Sequence, residues 1–163
     1  MNNNVIDAII EIPMGSKNKY EICANGKIKL DRVLYSSMTY PAEYGYIDKT
    51  LSPDGDPLDI LVITSGATFP GCVVEAKVLG HLAAIDDGDN DYKVIAVNNV
   101  DPRYNHINSL YDLGEHTLRE IRNFFENYKT LQDVVVQVKD YHDAPETVEL
   151  IRESRKAYRE SKK

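Results

Sequence analysis

The sequence predicts a mainly β fold with α-helices: an OB-like five-stranded β-barrel with two C-terminal helices packed on it. From Val5 to about Gln137 the chain consists mostly of short β-branched runs broken by turn residues. Two amphipathic helical patterns lie late in the sequence, and strands followed by helices favour a small barrel with packed helices. The 163 residues contain no repeat, low-complexity tract or linker, so we expect one domain over residues 1–163.

Alternating or continuously apolar runs mark the strands. The predicted strands cover residues 5–12, 19–24, 27–33, 58–64, 72–82, 92–97 and 134–139. Asn25 and Gly26 lie between the second and third of these. Because both residue types tolerate a positive φ, they predict a hairpin with a two-residue loop.

The first helix is predicted at about residues 115–129. Leu118, Ile121, Phe125 and Tyr128 recur there at spacings of three and four, which places them in one apolar stripe.

The second helix is predicted to begin at residues 143–146 and to end near Arg159. Asp143 and Glu146 stand at capping-box spacing around an early proline. Val148, Ile151 and Tyr158 form its apolar positions.

Bulk composition restricts the class of protein. No run approaches the ~20 apolar residues of a membrane helix, and the first residues lack the basic-then-apolar pattern of a targeting segment. We therefore expect a cytoplasmic protein without membrane association. Cys23 and Cys72 lie far apart in apolar contexts, so we expect two buried free thiols rather than a disulfide or a zinc site.

The formal net charge of −7 argues against nucleic acid or an anionic membrane as a partner. An acidic chain that binds an anion must reverse the sign of the potential locally, and cations are the simplest means.

Two charges fall inside apolar strand patterns. Arg32 shares a strand face with Ile28 and Leu30, and Asp59 has only apolar neighbours. We expect both to be partly enclosed, because an enclosed charge requires a partner or a metal. Two such charges of opposite sign predict a polar cavity.

Carboxylates are concentrated in two short segments. Unpaired carboxylates about 4 Å apart repel by about 4 kcal/mol at an effective dielectric near 20, so a converging set takes up protons or binds cations. Oxygen-only ligands favour a hard ion such as Mg²⁺, Mn²⁺ or Ca²⁺. For the second segment there is an alternative, because a turn rich in Asp, Asn and Gly between two strands is usually only a hairpin loop. The residues are Asp54, Asp56 and Asp59, then Asp86, Asp87, Asp89 and Asp91.

Other chemistries lack their motifs. An EF-hand loop beginning at Asp54 would have Asp59 and Ser65 where Gly and Glu are required, and one beginning at Asp87 fails at the same two positions. Walker A, dinucleotide-binding, zincin and nucleophile-elbow motifs are also absent from the sequence. Metal-assisted attack by water is the simplest remaining mechanism.

Several motifs resemble one family when taken together. Residues 54–60 read D-G-D-P-L-D-I, which resembles the D-x-D-P-x-D signature of the family I (soluble) inorganic pyrophosphatases, bacterial type. In chain order the sequence also reads I-E-I-P at 10–13, K-Y-E at 19–21, D-R at 31–32, Y-P-A-E-Y-G-Y at 40–46, an acidic loop at 86–93 and F-F-E-N-Y-K at 124–129. The resemblance covers most of the chain.

The resemblance implies an enzyme that hydrolyses inorganic pyrophosphate to two phosphates, using water activated by several Mg²⁺ ions, for which Mn²⁺ can substitute. It also implies the OB-like barrel and a homo-oligomer, a hexamer in bacterial members. Asp56 is implied as the catalytic proton acceptor. The implied metal ligands are Asp54, Asp59, Asp91, Asp86, Glu11 and Glu21, and the implied substrate contacts are Lys19, Arg32, Tyr44, Tyr128 and Lys129.

The sequence departs from the family pattern in places. Asp87 stands where many members have Glu, and tryptophan is absent, with Tyr141 at one position where bacterial members often carry it.

Two other functions fit parts of the pattern. An OB-type module could stack single-stranded nucleic acid on its eleven tyrosines, but the charge argues against it. A related enzyme acting on nucleotides would share the metal chemistry, although no base pocket is evident.

Overall fold

The computed structural model describes residues 4–163. Within that range the chain forms eight strands, two α-helices and three short 3₁₀ turns. The strands are β1 (Val5–Ile12), β2 (Asn18–Ile22), β3 (Ile28–Val33), β4 (Glu43–Ile47), β5 (Leu58–Ile63), β6 (Val73–Asp86), β7 (Asp89–Asn98) and β8 (Val136–Asp143). The helices are α1 (Glu115–Asn127) and α2 (Ala144–Ser161), and the 3₁₀ turns are Pro102–Tyr104, Leu110–Leu113 and Thr130–Gln132.

Five of the strands close into a barrel. Their order is β1-β4-β5-β7-β6, and β6 pairs back onto β1, so the ring has no free edge. All neighbours in the ring are antiparallel except β5 and β7, which run parallel. β8 extends β6 outside the ring, and β2 and β3 form a separate two-stranded sheet. The predicted mainly β, OB-like barrel with two late helices is confirmed.

The barrel interior is filled by alternate residues of its strands. Because a strand's side chains alternate between faces, every second apolar residue of each strand points into the ring. The buried residues of this cluster are Ile6, Ala8, Ile10, Ile47, Leu58, Ile60, Val62, Val74, Ala76, Val78, Val94, Ala96 and, from α2, Ile151.

Helix α1 packs on a second apolar cluster, contributed by the opposite faces of β5, β6 and β7. Ile121 and Phe125 are buried as their spacing predicts, and Leu118 packs at the margin. Phe124 is also buried, since the stripe is wider than the predicted one. This packing fixes the end of α1, and therefore Tyr128, relative to the barrel.

Helix α2 is more polar on its buried face than the sequence suggests. Thr147, Ile151 and Ser154 are buried, at helical spacing. Asp143 caps the helix by accepting a hydrogen bond from the Glu146 N–H at 3.2 Å. The Glu146 carboxylate bonds His142 at 2.7 Å, so it does not complete the predicted capping box.

Strand β4 has no counterpart among the predicted strands. It is only five residues long and contains both a glycine and the fully buried Glu43. Gly45 is required because a Cβ there would collide with the backbone carbonyl of Ile9 on β1. The Glu43 carboxylate accepts hydrogen bonds from the N–H groups of Met14, at 2.8 Å, and Thr68.

The hairpin of β2 and β3 forms where it is predicted, but with a different loop. The Cys23 N–H donates to the Lys27 carbonyl at 2.8 Å, which leaves three residues in the loop. Gly26 has φ 81°, whereas Asn25 is not at positive φ. The predicted two-residue loop is therefore wrong: the backbone needs only one left-handed residue, at Gly26.

Arg32 is not enclosed, contrary to the prediction from alternation. Its side chain is 68% exposed, and Ile28 and Leu30 on the same strand are also exposed. The alternation argument assumes a sheet with one buried face, but β3 belongs to a separate two-stranded sheet and all six of its residues are exposed. Asp59, on barrel strand β5, is partly enclosed as predicted, with 25% of its side chain exposed.

Cys23 and Cys72 are free and half-buried rather than fully buried. Cys72 packs against the barrel-interior cluster, while Cys23 belongs to the separate hairpin. No helix within residues 4–163 combines the length and apolar character needed to cross a membrane.

Candidate active site

A cavity of about 440 Å³ opens beside the barrel, next to the β2–β3 sheet and the C-terminal end of α1. Eleven of the twelve side chains predicted for the site line it: Glu11, Lys19, Arg32, Tyr44, Asp54, Asp56, Asp59, Asp86, Asp91, Tyr128 and Lys129. Glu21 is not among the lining residues and lies exposed on β2.

The connection from β4 to β5 carries the first group of carboxylates. Its turn is closed by the Asp56 N–H, which donates to Asp54 Oδ1 at 2.9 Å, and by Gly55 at φ 91°. Asp54 and Asp56 are exposed on this turn, while Asp59 follows on β5. The three therefore line one wall at different depths.

The β6–β7 hairpin carries the second group, and its geometry reconciles the two interpretations of its sequence. Asp86 pairs with Asp89 across a two-residue turn, in which Asp87 and Gly88 both have positive φ. Asp86 and Asp91 line the cavity, whereas Asp87 and Asp89 are exposed outside its lining. The segment is thus a hairpin turn and also supplies two cavity carboxylates.

Lys93 lies at the centre of the site, and the sequence interpretation gave it no role. It is 3% exposed, and its Nζ donates to Asp59 Oδ2 at 2.8 Å and to Tyr44 Oη at 2.6 Å. It also forms an ion pair with Asp91 Oδ2 at 2.9 Å. The sequence does contain a signal for this residue, because Lys93 is a charged residue within an otherwise apolar strand, just as Asp59 is.

Electrostatics at this centre keep Lys93 charged. Burial alone would lower the pKa of Lys93, but Asp59 and the other acidic groups around it outweigh burial and raise the pKa well above its ordinary value. Burial raises the pKa of Asp91, and Lys93 opposes that rise. Lys93 is therefore a fixed positive charge between two carboxylates.

A second lysine pairs with the acidic hairpin. Lys129 follows the C-terminal end of α1, and its Nζ donates to Asp86 Oδ2 at 2.5 Å. Burial opposes the charge on Lys129, but Tyr128 and Asp86 outweigh it and raise the pKa of Lys129. The end of α1 and the hairpin are thus tied together across the cavity.

Tyrosines form the apolar back of the cavity. Tyr44, Tyr128 and Tyr40 are buried, and the ring of Tyr40, which was not predicted, contacts the rings of the other two. Burial raises the pKa of all three, so their hydroxyls stay protonated. Because Tyr44 Oη accepts from Lys93, its own proton is available to an anion in the cavity.

The β2–β3 hairpin brings two cations to the opposite side. Lys19 and Arg32 are cross-strand partners and both line the cavity. Within residues 4–163 the Arg32 side chain bonds only its neighbour Asp31, through Nε at 3.3 Å, which leaves most of the guanidinium accessible. Glu11, at the end of β1, also lines the cavity, and burial is the main cause of its raised pKa.

The carboxylates form a donor set for a hard cation, although no three Asp, Glu, His or Cys side chains within residues 4–163 already stand in metal-binding geometry. Lysine ammonium groups bond Asp59, Asp91 and Asp86 instead. Positive charge is therefore already required at these carboxylates, and all donors are oxygen atoms, which fits Mg²⁺ or Mn²⁺.

Comparison with known proteins places this site in a family. A family model described as inorganic pyrophosphatase matches residues 8–159. The chain is 57% identical over 150 residues to an inorganic pyrophosphatase of Halalkalibacterium halodurans, covering 91% of this chain and 92% of that protein. It is 50% identical to an inorganic pyrophosphatase of Geobacillus stearothermophilus, with 98% of each covered.

Solved structures agree in fold. An inorganic pyrophosphatase from Thermus thermophilus superposes with a TM-score of 0.90 at 42% identity, covering 96% of this chain and 92% of that one. The Helicobacter pylori inorganic pyrophosphatase gives a TM-score of 0.91 at 37% identity, with coverage of 96% and 95%. With the family model matched across nearly all of its length, the chain belongs to family I of the inorganic pyrophosphatases.

Proposed function

We infer that this protein is an inorganic diphosphatase that hydrolyses pyrophosphate to two phosphates. The observation that carries this function is one cavity lined both by carboxylates and by the cations Lys19, Arg32 and Lys129. Pyrophosphate is compact and highly anionic, so its site needs positive charge on every side. We also propose that the chain is a single domain, which is supported by the packing of α1 and α2 on apolar clusters of the barrel strands.

The cofactor proposed here is Mg²⁺, as several ions, with Mn²⁺ able to replace it. Asp54, Asp59 and Asp91 would hold the tighter ions, and Asp86 and Glu11 those that arrive with substrate. When bound, such ions neutralise phosphate charge and lower the pKa of a coordinated water. Glu21 does not line the cavity and is the weakest member of the proposed ligands.

The positive side chains bind and orient the phosphates. Arg32 offers a planar fork of donors, while Lys19 and Lys129 act as point charges. Tyr44 and Tyr128 donate hydrogen bonds without adding charge. Phosphoryl transfer depends mainly on positioning and charge stabilisation, and these side chains supply both.

Asp56 is the proposed proton acceptor. Its N–H is bonded to Asp54, but its carboxylate accepts no hydrogen bond within residues 4–163 and faces the cavity. Water attacks one phosphorus, its proton passes to the Asp56 carboxylate, and the bridging P–O bond breaks. The electron pair of that bond remains on the departing phosphate, whose charge Lys and Arg side chains stabilise.

The function is tested by phosphate release from pyrophosphate. Purified protein with Mg²⁺ should release two phosphates per pyrophosphate, and a chelator should stop the reaction because the carboxylates lose their cations. Colorimetric phosphate detection measures the rate. Release no faster than a blank would refute the function, and equal release from a nucleoside triphosphate would favour a nucleotide-directed enzyme instead.

The role of Asp56 is tested by Asp56→Asn. Because the amide cannot accept the proton, kcat should fall by about 10²-fold or more. Mg²⁺ affinity, measured by calorimetry, should stay close to that of the wild type, since the tighter ligands remain. Asp87→Asn is the matched control, because Asp87 is exposed on the hairpin turn outside the cavity lining. Near-normal turnover in Asp56→Asn would remove that residue from its assigned role.

The substitution Lys93→Met tests the role of the buried positive charge between Asp59 and Asp91. The change leaves Asp59 and Asp91 without their shared cation, so the metal-free protein should lose about 3–5 kcal/mol of unfolding free energy. Mg²⁺ should restore part of the loss by neutralising the same carboxylates. Urea unfolding with and without Mg²⁺ measures both effects. Lys77→Met, which removes a lysine bonded at 3.2 Å to the Tyr104 carbonyl, should show no Mg²⁺-specific recovery.

The proposed assembly is a homo-oligomer, with a hexamer expected for a bacterial-type member. Exposed apolar side chains support it: Ile22, Ile28 and Leu30 on the β2–β3 hairpin are each about half exposed, at 46%, 54% and 51%. Light scattering should give a mass near six chains of 18.4 kDa. A monomeric mass would contradict the proposal.

A further inference from the structure

Thr50 joins the two ends of the acidic turn. It is 2% exposed, and its hydroxyl donates to the Ile47 carbonyl at 2.5 Å and accepts from the Leu58 N–H at 2.9 Å. Ile47 is the last residue of β4 and Leu58 the first of β5. One buried hydroxyl thus bridges the two strand ends between which the turn is held.

Two further backbone hydrogen bonds lie within the turn itself. The Ser52 N–H donates to the Asp56 carbonyl at 2.8 Å, and the Gly55 N–H donates to the Ser52 carbonyl at 2.9 Å. These bonds set the shape of the turn but not its position against the barrel. A backbone bond anchors it from outside, where the Leu51 N–H donates to the Ser154 carbonyl of α2 at 2.9 Å.

Position matters because the proposed ligands lie on different elements. Asp54 is on the turn, Asp59 directly follows the Leu58 N–H that Thr50 holds, and Asp91 is on β7. Mg²⁺ requires near-ideal octahedral geometry with oxygen ligands at about 2.0–2.1 Å. A small shift of the turn relative to β5 therefore weakens the whole set.

We propose that Thr50 is a positioning residue for the metal site: its buried hydroxyl sets where the acidic turn stands relative to β5. The inference rests on the proposed function. Removing the hydroxyl leaves a buried carbonyl and a buried N–H without a partner, and such groups are costly to leave unsatisfied. The turn then shifts to satisfy them, and its carboxylates move away from Asp59.

The experiment compares Thr50→Val, which keeps the shape and removes the hydroxyl, with Thr50→Ser, which keeps the hydroxyl. Calorimetric titration of the metal-free proteins with Mg²⁺, without pyrophosphate, gives the affinities. We expect Thr50→Val to weaken Mg²⁺ binding by about tenfold or more, as for other residues that orient ligands. Thr50→Ser should restore the affinity to near that of the wild type.

Thr147→Val is the matched control. Thr147 is also a fully buried threonine whose hydroxyl has two partners, His81 and the Asp143 carbonyl, each at 2.7 Å. Thr147→Val should lower the melting temperature without changing the affinity for Mg²⁺. If Thr50→Val bound Mg²⁺ as tightly as Thr147→Val does, the Thr50 hydroxyl would have only a structural role and the inference would be overturned.

Two further outcomes remain decisive. Should Thr50→Val fail to fold, Thr50→Ala and Thr50→Ser give the same comparison, and equal affinities in that pair would overturn the inference. If the wild type itself bound no Mg²⁺, the proposed function would fail and this inference with it. If the wild type bound Mg²⁺ and Thr50→Val bound it with the same affinity, only the role of Thr50 would be refuted.

Discussion

The buried ammonium group of Lys93 is the interaction on which the site depends. β5 and β7 pair in parallel, with Asp59 opposite Lys93, so the barrel itself brings a carboxylate and a lysine together. Burying either charge alone would be costly, and the pair is tolerable because Asp91 and Tyr44 satisfy the remaining bonds of Lys93. This arrangement explains how a chain of net charge −7 holds Asp59 and Asp91 together at one cavity.

The side chains around Lys93 lie on elements that hold them with different precision. Asp59 and Asp91 lie on barrel strands, where paired backbones and a filled interior fix their positions. Arg32 is 68% exposed on a hairpin outside the barrel. Under the proposed function, an exposed cation suits an anion that changes from pyrophosphate to two phosphates, whereas the proposed metal ligands must hold one geometry.

Sequence periodicity was sufficient for most of the fold and failed where tertiary context decides. Seven strands and both helices follow from spacing, but β4 does not, because its fit depends on the contact of Gly45 with β1. The enclosure of Arg32 was wrong because alternation cannot show that a hairpin lacks a packing partner. Lys93, like Asp59, is a charge in an apolar strand and was open to the same inference, but two of its three partners, Tyr44 and Asp59, come from other strands.

Under the proposed function, cation binding and anion binding are expected to be coupled at this site. Lys129 is bonded to Asp86, so part of its positive charge is already neutralised before a phosphate arrives. A divalent ion held at Asp86 would leave more of the Lys129 charge for a phosphate, and it would also reduce the negative potential that repels pyrophosphate. By linkage, pyrophosphate would then raise the affinity for that ion by the same factor. On this proposal, the lysine–carboxylate pairs make substrate binding depend on the metal.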